Sequence, residues 1–430
     1  MHPLEQQSDF APTQSAINSG THHTLQAGML NELLRKQLAP QPKQSDSVAT
    51  DSQSVAEAAP KSLLSCAVAV AFECLHQDTF QRQRLHGLLS ELYYLQKDLY
   101  DSLDIDHKWR TLQYISRSGL VMSPNNCVTT VLDDIRVRGF IRSVDKAISA
   151  YCQAGNGVVR ILYPACGPFA PLLLPLIAYY RHHQSVSPTQ LQVTLIDIQP
   201  GAVASIDALI EQLDIRAYID KVLCVDVLEY QGDSEPFDLL LLEAMQHGFS
   251  REGHMSMALH LAQFIKPDGA FIPKKITIDA KLVDANQEFV HQWQGAVQVS
   301  ADDMDEAIKA QRIDMGNVLC VDAQSILQLP RVIIDEHTEL LRCQTLQIPD
   351  IGIAQEKTVI FTTTIEVWDD EWINEYDSGI THPLPDQNIC INFTPTELRA
   401  GDLLIKSGEL MQLYYRLNGL PGFLPMKVEG

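Results

Sequence analysis

The sequence predicts an α/β fold, in which a doubly wound, mostly parallel sheet lies between an N-terminal helical region and a C-terminal, mostly β domain. Three observations predict it. Four short apolar runs, residues 158–163, 192–197, 221–226 and 237–242, have the character of strands buried on both faces. Helix-like stretches at 171–182 and 202–213 lie between them, so strand and helix alternate as a parallel sheet requires. After Phe271 the texture changes to β-branched stretches at 275–282, 358–367 and 389–393, separated by polar turns.

A chain of 430 residues exceeds what one core usually supports, so several folded units are expected. Residues 1–60, rich in Gln, Ser, Ala, Thr and Pro, read as a disordered or loosely ordered tail, with one short amphipathic piece at 29–38. Residues 61–150 read as helical. Apolar residues recur there at three and four spacings (Leu85, Leu88, Leu89, Leu92, Leu95, Leu99), and Ser123-Pro124 starts a second helical run to about residue 151. The Rossmann-like unit then occupies 151–273, and a barrel-like β domain 274–430.

Composition narrows the function. A net charge of −22 opposes binding to phosphate backbones, so a nucleic-acid partner is not expected, and it suits a cationic one. No run approaches the roughly 20 apolar residues that cross a bilayer, and the polar start has no secretory character, so no membrane partner and a cytoplasmic location are expected. Nine scattered cysteines without a CxxC pair signal neither a disulfide framework nor a metal site.

In open α/β sheets, ligands bind beyond the carboxyl ends of the strands. Here the first strand leads from Tyr163 into a small-residue turn holding Ala165, Gly167 and Pro168. The second ends at Asp197-Ile198 and the third at Asp226-Val227. A glycine turn and two acids at intervals of about 30 residues resemble the class I S-adenosylmethionine-dependent methyltransferase pattern. The resemblance implies that S-adenosyl-L-methionine is the cofactor. Asp197 would take its ribose hydroxyls and Asp226 its adenine amino group, with Tyr163, Ala165, Gly167, Ile198 and Val227 around it. The first motif departs from the family: Tyr163 stands where an acid is usual, and Ala165 and Phe169 where glycines are. The Gly167-Pro168 turn is also similar to that of nicotianamine synthases, which implies aminocarboxypropyl transfer as an alternative reaction.

The fourth strand leads to Glu243 and, nine residues on, Glu252, across a loop holding Gly248. This resembles the double-glutamate hairpin of the protein arginine methyltransferases, in which two carboxylates grip a guanidinium. On the same resemblance, the stretch 132–140 implies that Arg136 pairs with the cofactor's carboxylate and that Phe140 covers the site. Residues 264–273 are similar to the turn that leads into that family's β domain. Thr381-His382-Pro383 stands where the family has Thr-His-Trp, which makes His382 a candidate for lining the acceptor pocket. Plainer readings stay open: Glu243 as a turn cap, Glu252 as a solvated helix residue, Arg136 as a surface partner of Asp133, and His247 and His254 as surface histidines.

The expected activity is N-methylation of a guanidino or amino group on an amino-acid-like metabolite or a protein arginine, with Glu243, Glu252 and His382 as catalytic residues. The acceptor is then a cationic small molecule or peptide, and a homodimer through residues 62–102 fits the resemblance. A catalytically inactive scaffold of the same fold is a third reading.

Overall fold

The computed structural model describes residues 62–76, 81–155, 157–291, 306–352 and 357–428. The expected tail at 1–60, with its amphipathic piece, lies outside the described residues. Helices come first: α1 (Leu63–Leu75), α2 (Arg82–Ser102) and α3 (His107–Thr111). Ser62 and Ser65 form a capping box that satisfies the first amides of α1. Its small residues, Cys66, Ala67, Val70 and Cys74, are buried and allow close packing. The C-terminal end of α2 gains a side-chain donor for its carbonyls. Arg110 donates to the carbonyls of Tyr100 and Leu103 at 3.0 and 2.8 Å, and its guanidinium lies 4.4 Å from the Tyr100 ring centroid.

Between α3 and the next helix the chain makes a small antiparallel hairpin, β1 (Tyr114–Ile115) and β2 (Leu120–Val121). A short turn of helix, α4 (Pro124–Cys127), precedes α5 (Asp134–Gln153). Asp133 caps α5 by accepting from the Arg136 amide, and its other oxygen accepts from Ser378 Oγ at 2.6 Å, which ties the start of α5 to the β region.

The central sheet is Rossmann-like. Its strands are β3 (Val159–Pro164), β4 (Leu191–Asp197), β5 (Ile219–Cys224), β6 (Phe237–Leu241) and β7 (Ile265–Ile272), in the order β5-β4-β3-β6-β7, all parallel. Helices α6 (Leu174–His183), α7 (Pro200–Gln212) and α8 (His254–Leu261) alternate with them. The strand order reverses at β3, which pairs with β4 on one side and β6 on the other, so a crevice opens beyond the ends of these strands. Residues 265–272, expected as part of a turn, instead form β7. The Pro-Asp-Gly sequence there is outweighed by pairing with β6 through a bulge between Phe237 and Leu239.

The remaining chain is mostly β. Strands β8 (Lys275–Asp284), β9 (Ile313–Asp322), β12 (Lys357–Trp368), β13 (Glu371–Ile373) and β14 (Leu384–Asp386) form one sheet. A second sheet is built of β10 (Arg331–Asp335), β11 (Thr338–Gln347), β17 (Leu410–Arg416) and β18 (Gly422–Lys427), and β15 (Ile389–Ile391) pairs parallel with β16 (Leu403–Ile405). Among the described residues these ladders form three separate hydrogen-bonded sheets. No helix of the described residues is long and apolar enough to cross a membrane.

Candidate functional site

Beyond Pro164 the chain turns through left-handed conformations at Ala165 (φ 49°), Gly167 (φ 66°) and Ala170 (φ 41°). Gly167 adopts its φ at no steric cost, and the turn brings its amide to Asp197. That amide donates to Asp197 Oδ2 at 2.9 Å, and the Gln199 amide donates to Oδ1 at 2.8 Å. Asp197 is buried, and burial outweighs these two hydrogen bonds, so its pKa rises to about 6. A carboxylate accepts about four hydrogen bonds, so the pair of amides leaves capacity for a ligand's hydroxyls. Asp226 sits two residues past β5 and caps the turn Val227–Glu229 by accepting from the Leu228 amide at 2.9 Å.

Asp197 and Asp226 line one open cavity, with about 660 Å³ of space when its mouth is included. Ala165, Gly167, Ile198 and Val227 line it as well. Ala244, Glu252 and Gly253, from the loop after β6, line it too. Gln246 Nε2 donates to Glu252 Oε1 at 2.8 Å and so orients that carboxylate. No basic side chain lines the cavity among the described residues, whereas three carboxylates do.

Glu243 is placed differently from expectation. Its side chain is almost wholly buried and forms an ion pair with Arg136, and the Met245 amide approaches its Oε1 at 3.4 Å. The two glutamates therefore do not both line the cavity: Glu252 does, while Glu243 is turned to Arg136, because a buried carboxylate requires a partner and the guanidinium on α5 supplies it. Arg136 is correspondingly a buried partner of Glu243 and not a surface partner of Asp133. Its Nε is buried and has no hydrogen-bond acceptor among the described residues.

Three further expected residues lie away from the cavity lining. Phe140 and Tyr163 are buried in the core, and His382 packs edge-on against Tyr376 at 5.4 Å. Burial pulls the pKa of His382 down to about 4, which leaves it a weak base. His254 is not a surface residue either: it is buried beside Phe249, at 5.5 Å between ring centroids, and burial pulls its pKa down to about 3.

Sequence reasoning missed the wall formed by residues 112–122. Ser116, Ser118 and Met122 line the cavity, and the buried Gln199 side chain donates to the Leu112 carbonyl at 2.7 Å and the Met122 carbonyl at 3.0 Å. The available signal was Gln199 itself, a polar residue between the strand-end Asp197 and Pro200, the first residue of α7.

No family model matches the chain, and no curated protein matches it. Among solved structures it is similar to a Trypanosoma brucei PRMT1 enzyme–prozyme heterotetrameric complex with AdoHcy, with 14% identity, 70% of this chain and 96% of that chain covered, and a TM-score of 0.37. It is also similar to protein arginine methyltransferase 10 of Arabidopsis thaliana, with 13% identity, 65% and 84% coverage, and a TM-score of 0.38.

Proposed function

We propose that this chain is an S-adenosylmethionine-dependent N-methyltransferase acting on a guanidino or amino group. The observation that carries this reading is one cavity lined by Gly167, Asp197, Asp226 and Glu252 together. The residues fit the cofactor: Asp197 and Asp226 offer buried or half-buried acceptors for its adenosine donors, and the turn at Gly167 lines the same cavity. Bound there, the cofactor supplies an electrophilic methyl group carried on a sulfonium.

The chain's own residues do the rest. Glu252, oriented by Gln246, attracts a cationic acceptor and favours the positive charge that the attacking nitrogen carries. Holding that nitrogen in line with the methyl group converts an encounter of two molecules into an internal step, where much of the rate arises. Arg136 neutralises Glu243, so the acceptor meets one carboxylate from this loop and not two. Phe140 and Tyr163 support the site from the core.

The test is to incubate the full chain with the methyl-labelled cofactor and a mixed panel of free and peptide-borne guanidines and amines, and to identify both products. S-adenosylhomocysteine with a methylated nitrogen compound is the expected outcome. Methylthioadenosine as the leaving product would favour the aminocarboxypropyl alternative suggested by Gly167-Pro168, and cofactor binding without turnover across the panel would favour the scaffold.

A further inference from the structure

We propose that strand β10 is an association surface on which two copies of this chain pair edge to edge, antiparallel about a two-fold axis through Ile333. The pairing is independent of what the cavity holds, and the surface is separate from the helical residues 62–102.

β10 is the outer strand of the four-stranded sheet β10-β11-β17-β18, and among the described residues β11 alone pairs with it. The Arg342 amide donates to the Pro330 carbonyl at 2.9 Å, which sets the alternation of the ladder. The main-chain groups of Val332 therefore face β11, and those of Arg331 and Ile333 face outward along the edge. Such an edge is a template for another strand unless lysine, proline or an irregularity blunts it. The opposite edge of the sheet, β18, carries Pro425 and Lys427. Between Arg331 and Asp335, β10 carries neither: Val332, Ile333 and Ile334 follow one another, and Ile333 and Ile334 are 74% and 62% exposed.

The strand is also complementary to itself, which selects a second copy as its occupant. In an antiparallel pair centred on Ile333, that residue stands opposite its own counterpart, Val332 opposite Ile334, and Arg331 opposite Asp335. Apolar side chains meet at the centre and opposite charges meet at both ends. Arg331 already reaches Glu339 at 3.1 Å, and its remaining N–H donors leave capacity for a second carboxylate. A net charge of −22 opposes self-association over most of the surface, whereas this contact is locally neutral. Pro330, which has no amide, ends the ladder on one side, and the bulge between Ile333 and Asp335 ends it on the other. The interface is isologous, so it closes at two copies, and it is small, so association is reversible and depends on concentration.

The test is analytical sedimentation of the full chain at physiological salt, from micromolar to about 0.5 mM, where even a small interface associates. The expected result is a reversible doubling of mass with concentration that is absent in Ile333→Lys, a variant whose melting temperature is unchanged because the side chain is exposed. Asp335→Asn keeps an acceptor for the His337 amide, which lies 2.8 Å from the carboxylate. It is expected to weaken association roughly threefold, as for two lost surface ion pairs. Register is read separately with Ile333→Cys. Facing residues in a hydrogen-bonded pair have Cα atoms about 5.5 Å apart, within disulfide reach, so mild oxidation should link two copies of this variant beyond any linkage of the unaltered chain. A chain that stays undoubled at the highest concentration, doubling undiminished in Ile333→Lys, or no added cross-link in Ile333→Cys would each overturn the proposal.

Discussion

Arg136 on α5 and Glu243 at the end of the fourth central strand form a buried ion pair, with side chains 14% and 1% exposed. The pair joins the helix that carries the predicted cofactor contact to the loop that carries the predicted acceptor contact. Removing one member leaves an uncompensated charge in the interior, which costs about 3–5 kcal/mol. Arg136→Met is expected to lower stability in urea denaturation by that amount, and the double variant Arg136→Met/Glu243→Leu is expected to recover most of it. A double variant as unstable as the sum of the singles would show that the two do not act as a pair.

The elevated pKa of Asp197, about 6, gives the cofactor affinity a pH dependence. Ribose hydroxyls donate to the ionised carboxylate and not to the protonated one, so binding favours proton release. Affinity is expected to rise with pH up to about 6 and then to level off, and Asp197→Asn should bind weakly without that profile. The unliganded chain responds in the opposite sense: a carboxyl raised above its ordinary 3.8 contributes stability below 3.8 that is lost as pH rises through about 6. Calorimetric affinities across pH 5 to 8, beside melting curves of the free protein, check both signs.

Gln199 holds residues 112–122 by two hydrogen bonds and is almost fully buried. Gln199→Ala leaves the Leu112 and Met122 carbonyls without that donor, at a cost of about 1–3 kcal/mol. Because the affected segment is local, amide hydrogen exchange is the decisive reading: residues 114–121 should exchange faster while the central sheet is unchanged.

Arg142 is buried, binds Glu371 at 2.7 Å and donates to the carbonyls of Cys74 and Leu75 at the end of α1. It links α1, α5 and the β region at one point. Arg142→Met should destabilise the chain by about 1–3 kcal/mol through the Cys74 and Leu75 carbonyls left without their donor, while Glu371 keeps Lys146 at 2.7 Å. Limited proteolysis should then cut first near α1, whereas cleavage spread evenly over the chain would contradict this role.

Much of the central sheet was legible because β3, β4 and β6 are covered on both faces, and continuous apolar runs such as Ile161-Leu162 and Leu239-Leu240-Leu241 report that directly. The strand-end acids were legible for the same reason, since Asp197 and Asp226 stand where apolar runs stop. The hairpin at 114–121 left no such trace: Tyr114 and Ile115 are exposed, and its position depends on distant backbone and on Gln199. The Arg136–Glu243 pair was equally hidden, because spacing along the chain carries no information on which charges meet across the fold. Strand β7 was misread because Lys266-Pro267-Asp268-Gly269 has turn chemistry, and only the neighbouring edge of β6 makes it a strand.

The central claim is that the cavity lined by Gly167, Asp197 and Asp226 holds an S-adenosyl nucleoside. Isothermal titration of the full chain with S-adenosylmethionine tests it, with Asp197→Ala as the paired variant and a melting curve to confirm that the variant is folded. The account predicts saturable binding at a single site for the unaltered chain and loss of that binding in the folded variant. Absence of binding by the unaltered chain, or undiminished binding by the variant, would contradict it.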